Sequence, residues 1–233
     1  MTTANIQPPK IGQMIGSVMP MGLETDQTAN AKPSPPLIAR NPALRHFAPN
    51  ASIYREGDMA DRYYKLVSGT VRDSRHISHG RRQVTEFHGS GDIFGFYNGS
   101  RISSADAIGP VSLLVCRWHG PHETDMGMHP STNEILTQLI RHVERLQQHA
   151  VLLGRRSAVE KLAIFLSQQA SRMGTTDWVL LGMNRLDIAD YLGLTVESVS
   201  RAFSSLERQD LIEIISAREI KLKNPAALMR FDT

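Results

Sequence analysis

Apolar residues fall along this chain in different patterns, and each pattern predicts a different element. In "STNEILTQLIRHVERLQQHAVLLG", residues 131–154, the residues Leu136, Leu139, Val143, Leu146, Ala150 and Leu153 alternate in steps of 3 and 4. That spacing predicts one long helix with a narrow apolar seam, suited to pairing with a second copy of itself. Gly154 ends it, and Ser157 with Glu160 predicts a capping box for a second amphipathic helix, "AVEKLAIFLSQQASRMG". A short strand, "DWVLLG", follows. In "LDIADYLGLTVESVSRAFSSLERQDLI", Leu186 to Ile212, two helices meet at Gly193. Asn184 and Thr195 are the candidate N-caps. Val199, Ala202, Phe203 and Leu206 share one face of the second helix and should pack on Ile188, Ala189 and Leu192. "LIEIISAREIKLKNP" then predicts two strands about a turn at Ser216–Glu219, a wing beside the helix–turn–helix.

In the first half of the chain the pattern is different. Between about 50 and 118, runs rich in Val, Ile, Thr, Tyr and Phe are separated by glycine turns, with Ser68-Gly69 and His79-Gly80 as candidate hairpin turns. This predicts several short strands in a sandwich or β-roll, with the topology open. Residues 1–45 carry Pro8, Pro9, Pro20, Pro33, Pro35, Pro36 and Pro42 with no sustained period and are expected to form a tail. The expected domains are thus a tail, 1–45, a β-rich domain, 46–130, the long helix, 131–154, and a C-terminal domain, 155–233. Together they make an α+β protein.

Composition narrows the function. Hydrophobic residues are 41% and charged residues 21% of 233, ordinary for a globular protein. No run approaches the ~18 apolar residues that a membrane helix needs. Cys116 is the single cysteine, so no disulfide can form within the chain, and a reducing compartment, the cytoplasm, is expected. The net charge of +3 suits a polyanionic partner without requiring one.

The chemistry lies on the second helix of the pair. Its outer face carries Val196, Glu197, Ser200, Arg201 and Ser204. Arg201 can donate two hydrogen bonds to guanine O6 and N7, Glu197 can accept from a cytosine amine, Val196 can touch a thymine methyl, and Ser200 can do either. Arg185, Thr195 and Ser198, with the positive end of the helix, suit phosphates. A solvated Glu–Arg pair at i,i+4 is the plainer account of two of these residues, worth only ~0.2–0.5 kcal/mol. Cap, glycine turn, complementary first helix and wing together favour a DNA major-groove reader.

"NRLDIADYLGLTVESVSRAFSSLERQDLIEI" closely resembles the DNA-binding domain of the CRP/FNR regulators, in wording the FixK branch of FNR-like proteins. The resemblance runs from about 46 to 230, weakly at first and strongly from 155. It implies an N-terminal β-roll of the cyclic-nucleotide-binding jelly-roll type, a long central dimerisation helix and a C-terminal winged helix–turn–helix. It implies a bacterial homodimer reading a TTGAT–N4–ATCAA-like palindrome, with RNA polymerase as the expected partner and activation as the expected output. Val196, Glu197, Ser200 and Arg201 fall on the family's base-reading positions, and Asn184, Arg185, Thr195 and Ser198 where members hold phosphates.

The sensing side departs from the family. Cyclic-nucleotide binders carry a glutamate for the ribose and an arginine for the cyclic phosphate. In "GDIFGFYNGSRISSADA" those places hold Phe96 and Ser103, with Arg101 as a possible substitute. The oxygen-sensing cluster of FNR needs four cysteines. Neither effector is expected, and no cofactor is assigned. The alternative is a sensor gated by another small molecule, or by metal or redox chemistry at Cys116, His119, His122 and His129. Those histidines lie in an irregular segment without a second close pair, and Cys116 in "SLLVCRW" reads as a buried, inert thiol. The run "GRRQ", with Arg72 and Arg75, reads as a solvated basic face. No nucleophile–base motif, P-loop or dinucleotide fingerprint appears, so enzymatic activity is not expected.

Overall fold

The computed structural model describes residues 42–77, 80–117 and 132–232. Its N-terminal part is two antiparallel four-stranded sheets laid face to face. One has the order β1 (Ala43–Phe47), β8 (Val111–Arg117), β3 (Arg62–Ser68), β6 (Ile93–Phe94). The other has the order β2 (Ser52–Tyr54), β7 (Ser104–Ala107), β4 (Val71–His76), β5 (Arg82–His88). Between them lie Tyr54, Leu66, Val71, Ala105, Val111 and Leu113, all buried. The first strand begins at Ala43, ahead of the expected domain start at 46.

Of the two expected hairpin turns, Ser68-Gly69 is something else. β3 pairs with β6 and β8, whereas β4 pairs with β5 and β7, so this turn carries the chain from one sheet to the other. Gly69 is required there: its φ is +97° and a Cβ would stand 2.4 Å from the Pro110 carbonyl oxygen. β4 and β5 do form a hairpin, closed by the Ile77 N–H to the Arg81 carbonyl at 2.9 Å. Ser78 and His79 of that turn lie outside the described residues, as do His119, His122 and His129.

The helix α1 (Thr132–Gly154) follows. Its inner side buries His149 and Leu152. The expected seam, Leu136, Leu139, Val143, Leu146, Ala150 and Leu153, is exposed on the single chain, and Ile140 and Val151 widen the stripe. α2 (Ala158–Met173) is capped by Ser157, whose Oγ accepts from the Glu160 N–H, and its Gly174 C-cap is left-handed. Beyond it come β9 (Trp178–Leu180), α3 (Arg185–Leu192), α4 (Val196–Arg208), β10 (Ile212–Ile214), β11 (Glu219–Leu222) and α5 (Pro225–Met229). The wing is a three-stranded sheet in the order β10-β11-β9, since the predicted short strand joins it. Among the described residues no helix is long and apolar enough to cross a membrane.

The β-roll and the C-terminal helices share one core. Val84 and Phe87 of β5 pack with Leu152, Phe165, Ile188 and Leu192, and Tyr191 of α3 lies 5.3 Å from the Phe87 ring. The basic face expected at "GRRQ" is therefore corrected. Arg72 and Arg82 are 11% and 22% exposed and pair with carboxylates of α3, because that helix packs directly on β5. Arg75, near Glu56, and Arg81 stay exposed.

Glu86 of β5 ties the β-roll to α1, with His142 Nδ1 and Arg145 Nε each 2.5 Å from its carboxylate. Burial alone would push this carboxyl up. The charges of His88, His142 and Arg145 outweigh it and hold it at about 2 instead of 4.5. A carboxyl depressed in the folded state stabilises the fold above its unfolded value of 4.5, and that contribution disappears as the pH falls towards 2. The difference in unfolding free energy between wild type and Glu86→Gln should therefore be on the order of 3 kcal/mol at neutral pH and shrink below pH ~4.5. Urea titrations across that range check it; a pH-independent difference would contradict the assignment.

Candidate nucleic-acid interface

The Asn184 side chain accepts from the Asp187 N–H at 2.9 Å and starts α3. Gly193 ends it with φ +64°, and the Leu194 N–H returns to the Ala189 carbonyl at 2.9 Å. Two residues later Thr195 caps α4, its Oγ1 accepting from the Ser198 N–H at 3.2 Å. Such a short connection forces the helices into contact. Val199, Ala202, Phe203 and Leu206 of α4 are buried in the core that also holds Ile188, Ala189 and Leu192.

The opposite face of α4 is turned to solvent. Glu197, Ser200 and Arg201 are exposed, while Val196 is half-buried with one flank against the core. Ser200 donates its hydroxyl to the Val196 carbonyl at 2.9 Å, which leaves its lone pairs outward. Among the described residues no ion pair joins Glu197 to Arg201. Its own backbone N–H, then the Thr195 hydroxyl, hold the Glu197 carboxyl below the ordinary range, and Arg201 adds a smaller pull. The acid and the base are thus neighbours that leave each other free to bond outward.

The four expected phosphate residues are not equivalent. Asn184 and Thr195 are exposed and Ser198 is half-buried, all at helix starts. Arg185 lies with its guanidinium 3.2 Å over the Phe203 ring, and desolvation lowers it to about 10. Among the described residues its Nη1 is buried without a hydrogen-bond partner. Sequence reasoning did not single out Arg218, which is exposed at the tip of the wing, in a turn where Ser216 Oγ accepts from the Arg218 and Glu219 N–H groups. A basic residue within the turn of a short hairpin was the available signal.

Inside the β-roll, Phe96 stacks on Tyr63 at 4.9 Å and Ser103 Oγ is 2.6 Å from the Tyr97 hydroxyl. Arg101 is 3% exposed. Its guanidinium sits 4.0 Å from the Tyr54 ring and donates to the Gly95 and Arg62 carbonyls at 3.0 and 2.8 Å. Cys116 is buried, and burial pushes its thiol up.

Residues 160–231 match the family model of a Crp-like helix-turn-helix domain, and residues 44–119 that of a cyclic nucleotide-binding domain. The nitrogen fixation regulation protein FixK of Rhizobium meliloti is 37% identical over 210 residues, 90% of this chain and 94% of that protein. The chain belongs to the CRP/FNR family of transcription regulators. The structure of FixK2 from Bradyrhizobium japonicum matches this regulator with a TM-score of 0.75 at 32% identity, covering 82% of this chain and 98% of that one. The transcriptional activatory protein AadR of Rhodopseudomonas palustris is 40% identical over 179 residues, 72% of this chain and 73% of that protein. The regulator is a FixK-like DNA-binding protein, and its relatives are regulators rather than enzymes.

Thr195→Ala should cost about 1 kcal/mol of stability through loss of the α4 cap, while Thr195→Ser should be nearly silent. Urea unfolding of both variants checks this; equal stability of the alanine variant would show that the cap contributes nothing.

Proposed function

We propose that the regulator acts as a homodimer on a palindromic operator, in the cytoplasm, as an activator that recruits RNA polymerase. Two copies pair along Leu136, Leu139, Val143, Leu146, Ala150 and Leu153. Each inserts α4 into the major groove of a TTGAT–N4–ATCAA-like site, with the half-sites about one helical turn, roughly 34–36 Å, apart. Glu197, Ser200 and Arg201 read base edges, with Val196 at the margin. Asn184, Thr195 and Ser198 hold phosphates; Arg185, stacked on Phe203, is the member of that set which the geometry supports least.

The observation that carries this reading is the state of α4: one face buried, the other offering an exposed acid, hydroxyl and cation, with no ion pair between the acid and the cation among the described residues. A solvated decorative pair would be expected to close on itself. The exposed apolar stripe on α1 supports pairing. Action without cyclic nucleotide is supported by Phe96 and Ser103 in place of the glutamate and arginine, and by the enclosure of Arg101 among Tyr54, Tyr64 and Tyr97. A four-cysteine iron–sulfur cluster is incompatible with one cysteine per chain. The name of the AadR relative supports activation.

Arg201→Ala should weaken operator binding by ~1–3 kcal/mol and relax preference at one guanine, measured by gel shift with effector-free, chelator-treated protein. Equal losses on operator and random DNA would contradict base reading. Leu139→Glu with Leu146→Glu should give monomers by gel filtration; a persisting dimer would place the seam elsewhere.

A further inference from the structure

The short helix α3 is gripped from three sides, and the grip from the β-roll is ionic. Asp187 is 1% exposed. Its Oδ1 accepts from Arg72 Nη1 at 2.5 Å and from Arg82 Nη2 at 2.8 Å. Arg82 Nε donates to Asp190 Oδ2 at 2.7 Å. Gln83 donates to the Asp190 and Tyr191 carbonyls at 2.6 and 3.3 Å. From α1, His149 Nε2 lies 2.8 Å from the Tyr191 carbonyl, its ring stacked on Tyr191 at 3.9 Å. From α2, Lys161 reaches the Leu192 carbonyl at 3.2 Å. The carbonyls at the end of α3 thus find donors on the elements around it.

A helix–turn–helix that merely hung from the central helix would need none of this. Asp187, in the first turn of α3, would be favourable facing water at a helix N-terminus. Here it is withdrawn from water and met by two arginines from neighbouring strands. Burying charge in this way is a poor source of net stability but a strong geometric constraint, because each loss leaves a buried charge with fewer partners: Asp187 would keep one arginine, and Arg72 would keep only Asp106, at 3.3 Å. Two arginines meet two aspartates, so the contact fits one relative placement of the two parts. α4 packs on α3 through the same core, so whatever fixes α3 fixes the DNA-reading helix.

We propose that Arg72, Arg82, Asp187 and Asp190 form a positioning clamp. It holds the DNA-reading helix at one attitude to the β-roll, and so governs affinity and half-site spacing without touching DNA. The spacing part rests on the dimer and palindrome reading above; the attitude part does not.

The test uses the full chain and the variants Arg82→Gln, Asp190→Asn and their double. Gln83→Ala is the milder variant, which removes the amide bonds without orphaning a charge. Spin labels at Arg45→Cys in β1 and Ser204→Cys in α4, in labelled chain diluted with unlabelled chain, read the attitude without DNA; Cys116 is buried. The background should give one narrow distance, and the clamp variants a broadened one. Binding to operators with the preferred spacer and with spacers altered by one or two base pairs reads the consequence. Clamp variants should bind the preferred operator roughly tenfold more weakly and largely lose the spacer preference. The double variant should be little worse than either single, and random-DNA affinity unchanged. A narrow distance with intact spacer preference in the variants overturns the clamp, even if thermal stability has fallen, since that is what a merely structural role would give. Narrow distances in the background and broad ones in the variants, with no spacer preference in either, uphold the clamp and overturn the palindrome reading.

Discussion

The rotation of α4 about its own axis is the constraint on which the proposed DNA reading depends. Val199, Ala202, Phe203 and Leu206 are each at most 2% exposed. Burying side chains of this kind is worth roughly 1.5–3 kcal/mol apiece for the larger ones, against ~0.2–0.5 for a surface Glu–Arg pair. The apolar face therefore decides which way the helix turns, and the polar residues take the directions left over. Because those directions point to solvent, Glu197 and Arg201 are set by packing they do not share.

That constraint explains why the C-terminal domain was legible in the sequence. Asn184, Gly193, Thr195 and the apolar steps of α4 act within a few residues of one another, and the structure keeps each in its expected local role. The long helix was legible for the same reason, although Ile140 and Val151 make its exposed stripe broader than the strict seam. Strand pairing is not local. Ser68-Gly69 carries a hairpin-like dipeptide, yet its flanking strands find partners in different sheets. Arg72 and Arg82 look solvated in sequence because their carboxylate partner at Asp187 lies 115 and 105 residues away. A pattern of alternating polar residues cannot announce that a helix from the far end of the chain will cover them.

The β-roll of this regulator serves as framework in ways the C-terminal helices depend on. Its β5 strand gives Val84 and Phe87 to the shared core and Glu86 to the contacts with α1. In its interior Arg101 spends its donors on backbone carbonyls and its charge on aromatic faces, and Ser103 bonds to Tyr97.

Selection of bound sequences from random duplex DNA by the purified full chain tests the account most directly. The expected result is enrichment of a two-fold symmetric site whose half-sites lie about one helical turn apart. Enrichment of no sequence, or of a single asymmetric element, would contradict it.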